Sequence, residues 1–118
     1  MSTSKIICGK TGEEKAKQYL LNLGYQIIKT NYHSGYGEID IIAQDEEELV
    51  FVEVKTRAKD PETAFSSVSR SKQRKLAKTA SVFLTRNPHY QDSFTRFDVI
   101  AVINKTGQII HLKDAFTP

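Results

Sequence analysis

From Gly37 to Arg57 the chain reads Gly-Glu-Ile-Asp-Ile-Ile-Ala-Gln-Asp-Glu-Glu-Glu-Leu-Val-Phe-Val-Glu-Val-Lys-Thr-Arg. Two β-rich runs flank an acidic turn, which predicts paired strands near residues 38–43 and 49–56. Residues two apart in a strand share a face. Glu53 and Lys55 therefore point one way, while Val50, Val52 and Val54 fill the opposite, buried face. Glu38 and Asp40 are expected to share a face in the same manner, with Ile39 and Ile41 behind them. Paired as a hairpin, the strands bring two carboxylates and an ammonium together above an apolar layer. A metal-dependent phosphodiesterase needs that combination.

The flanking sequence builds a frame around this hairpin. Residues 11–23 predict a helix with the stripe Ala16, Tyr19, Leu20 and Leu23, closed by Gly24 just past its end. A short strand follows over 25–30, then a turn through 31–36. After the hairpin, a polar loop containing Pro61 leads to a helix over 71–85 with the stripe Leu76, Ala80, Phe83 and Leu84. Strands over 95–103 and 109–112, joined by a turn at 104–107, complete the chain. Helix, three strands, helix and two strands imply an α/β fold, a mixed sheet with helices on its faces. At 118 residues the chain suits one domain, 1–118, large enough for a single core.

Charge is distributed unevenly although the net value is only +3. Acids crowd between Glu38 and Glu62, whereas none occurs from Thr63 to Gln91, where Arg70, Lys72, Arg74, Lys75, Lys78 and Arg86 fall. A basic flank beside an acidic centre fits a polyanion held around a cation. A solvated basic helix face explains the flank equally well. The single cysteine, Cys8, excludes an intrachain disulfide and any multi-cysteine zinc site, and favours a reducing compartment. Neither a signal peptide nor an apolar run of membrane-spanning length is evident, so a cytoplasmic protein without membrane contact is expected.

Hard cations such as Mg²⁺ or Mn²⁺ take oxygen ligands, often one or two carboxylates with water and substrate phosphate. Asp40 and Glu53 are the expected ligands, with the Val54 carbonyl as a third, and Lys55 is placed to assist attack on a phosphodiester. Glu13, three residues before Ala16, continues the buried stripe of the first helix, and Lys72 stands four before Leu76 on the second. Each helix can thus deliver a charged group to the sheet edge. For Glu13 the alternative is a first-turn acid in a capping-like start with Thr11. His33, His89 and His111 are dispersed, and no Ser-His-Asp or Cys-His pairing is evident.

Gly12-Glu13, Ala16, Tyr19-Leu20, Gly24-Tyr25, Asn31, Gly37-Glu38-Ile39-Asp40, Phe51-Val52-Glu53-Val54-Lys55-Thr56-Arg57, Lys72, Arg96-Phe97-Asp98 and Asp114-Ala115-Phe116 together resemble one known pattern. The chain is similar to the PD-(D/E)xK nuclease superfamily and, more narrowly, to the YraN family of predicted endonucleases. The resemblance runs almost end to end. It implies a restriction-endonuclease-like αβββαβ core like that of archaeal Holliday-junction resolvases. It also implies metal-ligand roles for Asp40 and Glu53, a catalytic Lys55 and an auxiliary acid at Glu13. Ile39 stands where the superfamily's name has proline, and the family's Phe-Gly in the following loop is replaced by Pro61-Glu62 and Ala64-Phe65.

The expected function is therefore metal-dependent hydrolysis of DNA, at branched or single-stranded structures, with Arg57, Arg70, Lys72, Arg74, Lys75 and Lys78 contacting phosphates. A homodimer is compatible with symmetric cleavage of a junction. The alternatives are a non-catalytic nucleic-acid-binding module on the same fold, and an assembly protein whose acidic patch meets a partner. Asp98 is expected to pair with Arg96 or Arg57, and Glu38 to serve as a further ligand or a partner for the turn. Tyr32 and Tyr36 either stack on unpaired bases or pack the glycine turn. Phe116 is read as a core plug.

Overall fold

The computed structural model describes residues 2–118, with side chains from Gly12 onward. The Cys8 and Thr11 side chains lie outside the described residues. The elements are α1 (Ser2–Asn22), β1 (Gln26–Ser34), β2 (Gly37–Asp45), β3 (Glu48–Arg57), α2 (Pro61–Ser66), α3 (Arg70–Arg86), β4 (Phe94–Ile103) and β5 (Ile109–Phe116), with one 3₁₀ turn at Pro88–Tyr90. The expected αβββαβ order is present, with α2 and β5 added. This α/β architecture is compatible with a restriction-endonuclease-like fold.

The five strands lie in chain order, β1-β2-β3-β4-β5. Neighbours are antiparallel except β3 and β4, which run parallel from Glu48↔Phe94 to Arg57↔Ile103. A parallel pair needs a long crossover, and α2 with α3 supplies it. Two apolar layers result. On one face, Leu76, Ala80 and Phe83 of α3 pack on Ile42, Phe51 and Val99. On the other, Ala16 and Leu20 of α1 pack on Ile41, Val50, Val52 and Ile100. β3 is buried on both faces from Leu49 to Glu53, so Glu53 stands at the end of an apolar run.

Several boundaries differ from expectation. Helix α1 starts at Ser2 rather than near residue 11, because residues 2–10 carry no apolar stripe to announce it. Its end is as expected: Gly24 has φ +94, and the Tyr25 and Gly24 amides donate to the Leu20 and Leu21 carbonyls at 3.0 Å each. Leu23, expected in the core stripe, is 51% exposed because it is the last residue before this reversal. β1 continues to Ser34, which leaves only Gly35 and Tyr36 as the turn. The polar loop at Pro61 is instead the short helix α2, started by Asp60, whose carboxylate accepts the Glu62 amide at 3.0 Å.

Candidate metal centre

The antiparallel ladder between β2 and β3 stops at Ile41↔Val52. Beyond it the strands part. Ile39 and Ile41 should share a face, yet Ile39 belongs to the α3 layer and Ile41 to the α1 layer. The expected alternation of Glu38 and Asp40 over Ile39 and Ile41 is therefore broken, because the strand twists at Asp40. The twist turns the Asp40 carboxylate into the gap, where Oδ2 accepts the Val54 amide at 2.7 Å. In a strand the N–H and C=O of one residue point to the same side. The Val54 carbonyl thus faces the gap that holds Asp40.

Glu53 enters the same place from β3 and is only 6% exposed. Its carboxyl and that of Asp40 lie within hydrogen-bonding reach of each other. Burial, followed by the Glu53 carboxylate, pushes the Asp40 carboxyl up to about 7, against the opposing effects of the Val54 amide and Lys72. The Lys72 ammonium, sent down from the first turn of α3, lies 3.3 Å from Glu53 Oε2. That contact is an ion pair without hydrogen-bond alignment, so the buried Oε2 receives no directed hydrogen bond among the described residues. A buried carboxylate oxygen met by one ammonium and by no directed hydrogen bond is only partly compensated. Two such acids sharing one cavity are a fitting donor set for a hard divalent cation.

Glu13 reaches the pair from α1. Gly12 makes that possible: a Cβ there would collide with Thr56 Oγ1, so only glycine lets the helix backbone settle against β3. Burial first, and then the Asp40 charge, raise the Glu13 carboxyl above its ordinary range, and the Asn31 amide partly offsets both. Asn31 has φ +51, a conformation asparagine tolerates better than most residues. With its amide nitrogen turned toward the surrounding acceptors, it donates to Glu13 Oε2 and Glu38 Oε1, each at 3.2 Å. Glu13 lies inside α1, so the first-turn capping alternative does not hold. Glu38 is exposed and lies 3.8 Å from His33.

Asp40, Glu53, Glu13 and Lys72 are thus brought together. Lys55 is half-buried, two residues beyond Glu53 on its strand. Among the described residues no three His, Cys, Asp or Glu side chains converge tightly enough to cage an ion alone. Asp40 and Glu53 could hold one only with the Val54 carbonyl, water and substrate oxygens completing the shell. The expected phosphate contacts separate into two groups. Arg70, Arg74, Lys75 and Lys78 are exposed along α3, whereas Lys72 is committed to Glu53. Arg57 is half-buried, and its guanidinium donates to the Thr56 carbonyl at 2.9 Å. Sequence reasoning passed over Asn31 as a site residue, although its place in strand β1 at a residue type prone to positive φ was a usable signal.

A second polar network lies near the start of β3, on the α1 face. Arg96, 8% exposed, donates to Asp98, Asp45, Glu48 and the Tyr25 hydroxyl, the last at 2.7 Å. Asp98 accepts from Arg96 as expected, and also takes the Asp114 amide at 2.9 Å and His111 Nε2 at 2.7 Å. With Nε2–H donating, His111 Nδ1 accepts the Tyr19 hydroxyl at 3.1 Å. Burial would raise Asp98, but the His111, Arg96 and Asp114 donors overcome it and hold the carboxyl below its ordinary range. The pairing of His111 was not legible, because its partners come from α1 and β4. On the other face Phe116 stacks on Phe97, centroids 5.1 Å apart, and closes the α3-side layer as expected.

Known proteins resemble this chain over most of its length. A UPF0102 protein of Persephonella marina is 41% identical over 114 residues, covering 93% of each chain. One from Sulfurihydrogenibium sp. is 44% identical over 110 residues, 92% of this chain and 93% of its own. One from Acinetobacter baumannii is 45% identical over 93 residues, 78% of this chain and 70% of its own. The sequence profile of Uncharacterised protein family UPF0102 matches residues 12–102, the span that holds Glu13, Asn31, Asp40, Glu53, Lys55 and Lys72. The chain belongs to Uncharacterised protein family UPF0102.

Proposed function

We propose that this chain is a divalent-metal-dependent nuclease of the PD-(D/E)xK type that hydrolyses phosphodiester bonds in DNA at unpaired or branched structures. One observation carries the reading: Asp40 and Glu53 share a gap in the sheet, Asp40 with a raised pKa and Glu53 with a buried, unsatisfied oxygen. Mg²⁺ or Mn²⁺ bound there would supply Lewis acidity toward a phosphate and lower the pKa of a water. Asp40 and Glu53 would hold the ion, and the Val54 amide fixes the Asp40 rotamer. Lys55 orients the attacking water or meets the developing charge on phosphate oxygen. Glu13, tethered by Asn31, accepts a proton or positions a second water at the far side of Asp40. Cations along α3 hold the strand, so DNA affinity falls steeply as salt rises.

The test is calorimetric titration of Mn²⁺ into wild type and an Asp40→Asn, Glu53→Gln double variant, with cleavage of branched and single-stranded DNA measured on the same preparations. Wild type is expected to bind and cleave, and the variant to do neither. Folded wild type that binds no Mn²⁺ even with DNA present would sink the proposal. The second reading is a nucleic-acid-binding module without turnover. It is favoured by one feature, the Lys72 ammonium already neutralising Glu53, and it predicts salt-dependent DNA binding with no metal uptake.

A further inference from the structure

Tyr36 is the residue at the β1–β2 hairpin tip that the fold leaves without a packing role. Tyr32, four residues earlier, is accounted for: its ring meets Phe83 edge-on at 5.3 Å. Tyr36 is 55% exposed, and yet its position is tightly fixed. Its amide donates to Ser34 Oγ at 3.1 Å, Ser34 Oγ meets Thr79 Oγ1 at 3.0 Å, and Thr79 Oγ1 donates to the Lys75 carbonyl at 2.9 Å. This chain of hydroxyls fastens the hairpin tip to α3. Thr79 is fully buried, so the fastening is part of the core rather than a surface contact.

The ring held in this way overlooks a groove. Lys78 Nζ sits 5.3 Å from its centroid. The groove encloses about 370 Å³ between Tyr36 and α3, with Val82 on its floor and Lys78 and Arg86 at its sides. That volume is at the small-ligand end of binding pockets. An aromatic face, an aliphatic floor and two cations match a nucleobase that carries a phosphate. No acid occurs between Thr63 and Gln91 to oppose it. Lys72 and Lys78 lie six residues apart on one helix, about 9 Å along its axis. Around that axis they are about 120° apart, and the link to the gap is the hairpin instead. Tyr36 stands four residues before Asp40, at most about 14 Å of chain, so a strand with one phosphate at the Asp40–Glu53 gap can reach this groove within a few nucleotides.

We infer that Tyr36 and Lys78 form a stacking subsite for an unpaired nucleobase of the DNA strand bound at the acidic pair, so that the enzyme selects single-stranded or branched DNA over duplex. The inference takes its substrate class from the nuclease reading above. A base inside a duplex is stacked on its neighbours and cannot reach the ring, whereas a splayed base offers its π-face to Tyr36 and its phosphate to Lys78 or Arg86.

The experiment uses the full chain in EDTA, so that cleavage plays no part, with a single-stranded oligonucleotide containing 2-aminopurine and a matching duplex. Wild type and Tyr36→Phe are expected to quench the 2-aminopurine on binding. Tyr36→Ala is expected to lose the quenching and to bind the single strand about 5- to 100-fold more weakly, with duplex affinity changed less than twofold. Lys78→Gln is expected to weaken binding and reduce its salt dependence while some quenching persists. Absence of quenching by wild type overturns the inference, as does equal single-strand affinity in Tyr36→Ala. Cleavage with Mn²⁺ restored is scored separately. In wild type, cleavage without stacking refutes the subsite alone, and stacking without cleavage refutes the nuclease reading alone.

Discussion

Asp40 carries two opposing demands. The Val54 amide donating to its Oδ2 favours the carboxylate, yet burial and Glu53 favour its protonated form. A carboxyl raised in the native state stabilises the fold while protonated. Its contribution is fully present below the ordinary carboxylate value and is lost as pH rises through about 7. Asp40→Asn keeps the acceptor and removes the charge. At pH 8 without metal the variant is expected to be more stable than wild type by roughly 1–2 kcal/mol, discounted from the full shift for partial solvation. At pH 5 the gain is expected to shrink to less than half. Thermal unfolding at both pH values decides it, and a gain that is equal at both, or absent at both, removes the charge conflict. Mn²⁺ should compensate wild type at pH 8 by neutralising the ionised pair, and leave the variant unmoved.

The position of α1 rests on a contact between elements that have no hydrogen bond to each other at that point. Gly12 lies flat on Thr56 of β3, and through that contact Glu13 is seated beside Asp40. Gly12→Ala would normally gain helix propensity. Here the added methyl is expected to cost about 1–3 kcal/mol through overpacking and to move Glu13 off the acidic pair. Thr56→Ala removes the obstructing oxygen, so the double variant should recover most of the loss in chemical denaturation. Additive losses would show that the contact is not what limits the approach. The strands and helices around the site were legible because Val50, Val52 and Val54, or Leu76, Ala80 and Phe83, repeat at strand and helix periods. The start of α1 was not, since residues 2–10 have no stripe, and α2 was overlooked although Asp60-Pro61 is a helix-starting pair. The twist at Asp40 was illegible for a different reason. It arises where β2 leaves β3, and no local pattern announces a ladder's end.

Two carboxyl groups on the strands either side of β3, Asp40 on β2 and Asp98 on β4, pull the whole molecule's pH response in opposite directions. Asp98, held below its ordinary range, contributes stability above that range and loses it as pH falls through its native value. Asp40 loses its contribution as pH rises toward about 7. The metal-free protein is therefore expected to be most stable in mild acid, near pH 4–6, and Mn²⁺ should move that maximum toward neutrality. Asp98→Asn breaks a buried network and is expected to cost about 3–5 kcal/mol, while flattening the acid limb of a melting-temperature profile. A metal-free maximum at neutral pH or above would contradict the assignment of Asp40. Outside α3's cation to Glu53, the helix keeps Arg70, Arg74, Lys75 and Lys78 at the surface. Charge-neutralising these four should reduce the slope of log affinity for DNA against log salt by up to about 4, as read by a salt titration of binding; an unchanged slope would place the strand elsewhere. Where β2 and β3 part, finally, the Val54 amide is tied to a side chain in the middle of a sheet otherwise stitched by main chain. That single N–H is a built-in spectroscopic gauge: its proton resonance should follow the ionisation of Asp40 through a pH titration, and shift again when an ion enters, with no probe attached to the protein.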